Sequence, residues 1–253
     1  TYQDMLDGVC KTANGLKELG IVKGDRVTLY MPMVPELAMA VLACSRIGAI
    51  FSVVFAGFSA TSLKDRIHDQ EAKLVICADS TWRRGNILDL KTVVDEAVEQ
   101  CPTIENVLVY ERGGDCISAA GMSARDVVWC ELIDKQSDSC EPESMDAEDV
   151  LFILYTSGTT GKPKGVMYTN RSTYLHTLTE SLTDSIGLSS LDSLLGIVPM
   201  FHAMGWGLPF AASMLGCKQV MPHRFMLPDV FLKLMVEEEV TISAGVPTIW
   251  QGV

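Results

Sequence analysis

LFILYTSGTTGKPKGVMYTN, Leu151 to Asn170, changes character twice. Leu151–Tyr155 is a short apolar run and reads as a buried strand. Thr156–Gly165 is small, hydroxylated and basic. Gly165–Tyr168 is apolar again, and a helix is expected from Ser172. The middle part suits a polyanion. Gly158, Gly161 and Gly165 let the backbone turn tightly and aim N–H groups at one point. Ser157, Thr159 and Thr160 add hydroxyl donors, and Lys162 and Lys164 add positive charge. It is not a Walker A loop, because Pro163 follows Lys162 where that motif needs Ser or Thr. A solvated Gly/Thr connector between two strands is the plainer alternative. Against it stands a run of ten residues with one chemical bias.

Upstream, the pattern alternates. A helix is expected over Thr1–Leu19, a strand over Arg26–Met31, a helix over Glu36–Ile47 and a strand over Ala49–Phe55. A helix capped by Ser59 or Thr61 follows, then a strand over Lys73–Ala78, a helix over Leu90–Gln100 and a strand over Asn106–Tyr110. Asp126–Ile133 fits helix or strand. Downstream, Ser172–Ile186, the apolar run to Leu215 and Pro228–Glu239 read as helices. Ser193–Val198, Lys218–Met221 and Val240–Ala244 read as strands, and a helix begins at Pro247. Strands that are apolar throughout, separated by amphipathic helices, predict an α/β fold: mostly parallel sheets covered by helices. Residues 134–149 are strongly acidic and read as a surface connector. That places a first α/β subdomain at 1–133 and a second, carrying the Gly/Lys loop, at 150–253.

Ligands of parallel sheets gather where the strands end at their carboxyl side. Three such exits stand out. Phe55-Ala56-Gly57-Phe58-Ser59 joins flat rings to a permissive glycine; a plain turn with core aromatics is the alternative. Trp82-Arg83-Arg84-Gly85 follows a strand ending at Asp79 and could clamp a phosphate, or be a solvated loop ion-paired to Asp79. Pro199-Met200-Phe201-His202-Ala203-Met204-Gly205-Trp206-Gly207 sets a histidine and a large ring four residues apart, with glycines leaving space beside the ring. A structural histidine and a core tryptophan are the plainer readings.

The formal charge of −12 disfavours nucleic acid and anionic membrane as partners. Eight cysteines form no Cys-x-x-Cys pair, so neither a disulfide framework nor a metal site is indicated, and a reducing cytoplasm is the expected compartment. No apolar run reaches the roughly 20 residues of a membrane span.

YTSGTTGKPKG resembles the phosphate-binding signature of the adenylate-forming superfamily, which includes acyl-CoA synthetases, peptide-synthetase adenylation domains and luciferases. The resemblance implies part of that family's large amino-terminal domain. Thr156, Ser157, Gly158, Thr159, Thr160, Gly161, Lys162 and Lys164 would hold the ATP phosphates, and Thr156 would also share in holding Mg²⁺. VFAGFSATSLKDRI and the arginines after it are similar to acetyl- and propionyl-CoA synthetases, where these regions border the coenzyme A site. That assigns Gly57, Phe58, Arg83 and Arg84 to coenzyme A, although Asn86 stands where the family carries a second basic residue. PMFHAMGWGLPFAASMLGC resembles the acyl-pocket segment of medium- and long-chain fatty acyl-CoA synthetases. That assigns His202, Trp206 and Gly207 to the acyl pocket, with His202, Lys162 and Lys164 acting in the chemistry.

The implied reaction converts a carboxylic acid, of medium chain length by this segment, to an acyl-adenylate and then to acyl-CoA. AMP and pyrophosphate are released. The family's Tyr-Gly-x-Thr-Glu and Thr-Gly-Asp segments and its carboxyl-terminal lobe have no counterpart here. The chain therefore reads as an amino-terminal portion, inactive without the carboxyl-terminal domain of the same enzyme and open to homodimer formation. A non-catalytic nucleotide- or acyl-binding half-protein is the rival reading.

Overall fold

Residues 1–83, 86–112, 121–156, 163–202, 205–222, 227–245 and 247–251 are described by a computed structural model. Thr1 caps α1 (Tyr2–Glu18) by accepting from the Asp4 backbone N–H while Asp4 returns the bond, a capping box. Then come β1 (Arg26–Tyr30), α2 (Pro35–Arg46) with proline in its first turn, and β2 (Ile50–Val53). Next are α3 (Ala60–Gln70), β3 (Leu74–Ala78), β4 (Ser80–Arg83), β5 (Asn86–Asp89), α4 (Lys91–Val98), β6 (Asn106–Tyr110), β7 (Asp126–Val128) and α5 (Trp129–Ile133). After these, β8 (Val150–Tyr155), β9 (Gly165–Thr169), α6 (Asn170–Ser181), β10 (Ser193–Gly196) and α7 (Leu208–Leu215) follow. The chain continues through β11 (Lys218–Val220), α8 (Pro228–Glu237), β12 (Ile242–Ala244) and α9 (Pro247–Trp250).

The larger sheet has the order β7-β6-β3-β1-β2-β8-β9. All its pairings are parallel except the antiparallel β8–β9 hairpin. Alternate residues of its central strands serve two cores, as a pleat requires. Val27, Leu29, Leu74 and Ile76 pack with Leu16, Leu37 and Val41 of α1 and α2. Tyr30, Val75 and Cys77 pack with Leu63, Ile67 and Val94 of α3 and α4. This double coverage is why the strands are apolar throughout. The smaller sheet, β11-β10-β12, is parallel; Leu194 meets Ala211 and Ala212 on one face, and Leu195 meets Phe231 on the other.

The expected α/β class and its mostly parallel sheet are present. Three details differ. Trp82 and Arg83 lie not in a loop but in β4, which pairs antiparallel with β5. Asp126–Ile133 divides, with a strand to Val128 and a helix from Trp129. The helix expected to reach Ile186 ends at Ser181, where Leu182 turns extended.

The acidic stretch 134–149 packs as a strap over α1 and α2. Asn14 Nδ2 donates to the Ser137 and Ser139 carbonyls, Arg46 Nε donates to the Cys140 carbonyl at 2.6 Å, and Lys23 pairs with Asp149 at 2.9 Å. It also does not separate the sheets: β8 and β9, which follow it, belong to the larger one. Backbone satisfaction explains this, since β8 completes its ladder between β2 on one side and β9 on the other.

Among the described residues the cysteines are free, no cluster of metal-ligating side chains occurs, and no helix is long and apolar enough to cross a membrane.

Candidate functional site

The Gly/Lys loop closes the β8–β9 hairpin. Tyr155 pairs with Gly165 as the last rung. Beyond it the Thr156 N–H donates to the Lys164 carbonyl at 3.0 Å, and the Lys164 N–H reaches Thr156 Oγ1 at 3.4 Å. Thr156 and Lys164 are both exposed. Ser157, Gly158, Thr159, Thr160, Gly161 and Lys162 lie outside the described residues. Gly165 is required by close approach: a Cβ there would stand 2.9 Å from Ile153 Cγ2 and 3.4 Å from the Tyr155 ring.

The stem is braced from α3. Tyr155 Oη donates to Asp69 Oδ2 at 2.7 Å. Partial burial, then the hydrogen bond to Asp69, push the Tyr155 phenol up from its ordinary value. The Arg66 guanidinium lies over two rings, 4.7 Å from the centre of Phe58 and 5.3 Å from that of Tyr155. Beside this brace is an open cavity of about 410 Å³ lined by Asp65, Arg66, His68, Asp69, Tyr155 and Pro163.

The turn after β2 faces the same group. Gly57 and Phe58 direct their N–H groups to the Phe55 carbonyl, and Tyr30 Oη holds the Phe58 carbonyl at 2.7 Å. Ser59 Oγ then caps α3 at the Ser62 N–H. Phe55 packs edge-on to Phe58 at 5.5 Å and against Phe201 at 5.0 Å. Arg83 is the last residue of β4, opposite Asn86, and Arg84 lies outside the described residues.

The structure thus brings Gly57, Phe58, Thr156, Lys164 and the Phe201-His202 segment into one neighbourhood. His202 and Trp206 were expected to share a helical face. The His202 carbonyl does receive the Trp206 N–H at 3.1 Å, four residues on, but His202 is exposed while Trp206 is buried at 8% exposure.

Trp206 packs on Phe152 at 4.7 Å, Tyr168 at 5.0 Å and His176 of α6 at 4.7 Å. The histidine against the tryptophan is therefore His176. The space expected beside the ring is also filled: a Cβ on Gly207 would meet His176 Cε1 at 3.0 Å and Glu180 Oε1 at 3.1 Å. A void of about 10 Å³ remains among Phe51, Phe152, Met200, Trp206 and Phe210. Ligand pockets start at roughly 300 Å³.

Arg66, Asp69, His176 and Glu180 were missed by sequence reasoning. A spacing signal existed for each pair: Arg66 and Asp69 stand three apart on α3, His176 and Glu180 four apart on α6. What the spacing does not say is that Arg66 and Glu180 are buried, while Asp69 stays exposed and His176 is half-buried. Glu180 is 7% exposed, its Oε2 has no partner among the described residues, and burial raises its carboxyl above the ordinary range while nearby His176 pulls it down. The Thr156 hydroxyl is exposed and only weakly engaged, which fits a cation that keeps most of its own water and binds chiefly to phosphate.

The model of one family, described as AMP-binding enzyme, matches residues 1–253. Among curated relatives, an acetyl-coenzyme A synthetase of Mycolicibacterium smegmatis is 51% identical over 181 residues, 70% of this chain and 19% of that protein. One from Deinococcus radiodurans is 51% identical over 183 residues, 71% of this chain and 28% of its own. One from Pasteurella multocida is 56% identical over 169 residues, 66% of this chain and 26% of its own. The matched stretch is thus less than a third of each of these relatives.

Proposed function

This chain belongs to the AMP-binding enzyme family, and we propose that the protein carrying it activates a short carboxylic acid with ATP and passes the acyl group to coenzyme A. The observation that carries this reading is the convergence at α3. There the stem of the Gly/hydroxyl/Lys loop and the Phe55–Ser59 turn meet on one side chain, Arg66. A carboxylate is a poor acyl donor because oxide is a poor leaving group. Its oxygen therefore attacks the α-phosphorus of ATP and pyrophosphate departs. The thiolate of coenzyme A then attacks the acyl carbon of the adenylate and AMP departs. In the first step charge spreads over phosphate oxygens, so placed donors and cations stabilise it.

Lys162, Lys164 and the loop hydroxyls and N–H groups would supply those donors, with Thr156 contributing an oxygen toward Mg²⁺, which screens the triphosphate charge. Gly57, Phe58, Arg83 and Arg84 would receive coenzyme A. His202, exposed next to Phe201, would lie at the carboxylate end of the acid.

The medium-chain acid expected from the Phe201–Gly207 segment finds no support. The residues around Trp206 enclose about 10 Å³, and the relatives above are named for acetyl-coenzyme A. A short acid is the reading that both favour. Acid-dependent exchange of pyrophosphate into ATP by the complete protein is the test. Acetate or propionate should drive exchange at least tenfold faster than octanoate. Nucleotide binding without exchange for any acid would leave a binding module instead, and an octanoate preference would overturn the short-acid assignment alone.

A further inference from the structure

Arg66 sits where a charged residue is costly. It lies in α3, an amphipathic helix with water on one side, yet it is 7% exposed. Burying a guanidinium is unfavourable unless its charge and donors are met. Among the described residues its hydrogen-bond acceptor is the Ser62 carbonyl, 2.7 Å from Nη1, and no carboxylate lies within ion-pairing distance. Two rings flank the guanidinium, Phe58 at 4.7 Å and Tyr155 at 5.3 Å, and the residue borders the open cavity with Asp65 and Asp69. These rings belong to different parts of the site. Phe58 ends the turn assigned to coenzyme A, and Tyr155 closes the stem of the phosphate loop.

Both flanks are themselves fixed. The Phe58 carbonyl is held by Tyr30 Oη at 2.7 Å, and Tyr155 Oη is held by Asp69, one turn along α3 from Arg66. A displacement of either ring has to move the guanidinium, and through it the other ring. We propose that Arg66 is a positioning residue that keeps the thiol-donor turn in register with the phosphate loop. This rests on the reading under Proposed function. In that reading the two steps occur at one acyl carbon, so the nucleotide and the thiol must be placed against the same point to within a fraction of an ångström. A planar guanidinium can lie against two rings together, which an ammonium does less well.

The distinguishing consequence is a cross effect, measured on the complete protein by pyrophosphate exchange and by thioester formation. Tyr155→Leu, a change on the nucleotide side, should raise KM for coenzyme A about fivefold. Phe58→Leu, on the thiol side, should raise KM for ATP by a similar factor. Arg66→Gln should raise both, while Arg66→Lys recovers part of each loss and kcat for exchange stays within about threefold. If Arg66→Gln does not fold, the two ring variants still decide.

Ring variants that each move only the KM of their own substrate overturn the proposal. So does a folded Arg66→Gln with both KM values unchanged. A wild-type protein that shows no exchange removes the underlying reading as well. A wild type that exchanges normally, without cross effects, removes this proposal alone.

Discussion

Two neighbourhoods meet the edge of the larger sheet at β8 and β9, and they are built oppositely. Around Tyr155 the chain leaves an open cavity of about 410 Å³ with charged walls, braced by Arg66 and Asp69. Around Trp206 it leaves about 10 Å³ between stacked rings. The same two strands supply both: Tyr155 and Gly165 border the open side, Phe152 and Tyr168 the sealed side. The pleat makes this possible, because neighbouring positions on a strand face opposite ways. On the proposed function, the contrast leaves room for the polyanion and little for the acyl group. Chain length would then be set by how far Trp206 and Gly207 fill the second neighbourhood.

The largest test of that contrast is Trp206→Ala. Loss of a buried tryptophan from a packed aromatic cluster should cost about 3–5 kcal/mol, read from urea unfolding. If the protein still folds, its acid preference should shift toward longer chains. A loss under about 1 kcal/mol would show that the cluster is loose and would break the comparison. Gly165→Ala comes next. Its Cβ would press on Ile153 Cγ2 at 2.9 Å, an overpacking cost of about 1–3 kcal/mol. It should also splay the loop stem and weaken ATP binding. Lys164→Ala is smaller in stability and sharper in function. The side chain is exposed, so unfolding should move by under about 0.5 kcal/mol. KM for ATP should rise about tenfold, near 1.4 kcal/mol of binding, and further with Lys162→Ala added. An unchanged KM would empty the open neighbourhood of its assigned ligand.

Most of the fold was legible because apolar continuity and helix punctuation are local signals. Asn106–Tyr110 was read at its observed bounds, and of the two caps offered for α3, Ser59 or Thr61, Ser59 is the one used. The β4–β5 hairpin was not legible. Its Ser80–Asp89 stretch carries two arginines and no alternating apolar pattern, and antiparallel pairing holds it, with only Leu88 among its described residues packed against a core cluster. The Gly/hydroxyl/Lys loop stands out in the sequence because its chemical bias is concentrated in consecutive residues, and the structure shows its stem, Thr156 and Lys164, closing the β8–β9 hairpin. The brace behind it was not legible. Arg66, Asp69 and Tyr155 are brought together from α3 and β8, far apart in the chain, and a buried arginine looks in sequence like any charged helix residue. Trp206 shows the same limit. Sequence placed it beside His202, while packing placed it beside His176, from another helix.

His176 and Glu180 supply the finest test, because they form the polar back of the sealed neighbourhood. Glu180 Oε1 lies 3.6 Å from His176 Nδ1, too far for a hydrogen bond, and its Oε2 has no partner among the described residues. Burial raises the folded carboxyl pKa, so the sign follows. Below the ordinary carboxylate range both folded and unfolded forms are protonated, and no penalty applies. As pH rises through the raised folded value, the folded protein must ionise a buried group, and stability is lost and stays lost at higher pH. Glu180→Gln removes that ionisation. It should stabilise the protein by about 1–2 kcal/mol at pH 8 and by much less near pH 4, followed by thermal unfolding at both values. Equal shifts at the two pH values would mean that ionisation is not the cause. A loss at pH 8 would mean that the ionised Glu180 carboxylate is favourably met by its surroundings in the fold, which would turn the polar back wall of the Trp206 cluster from a cost into a support.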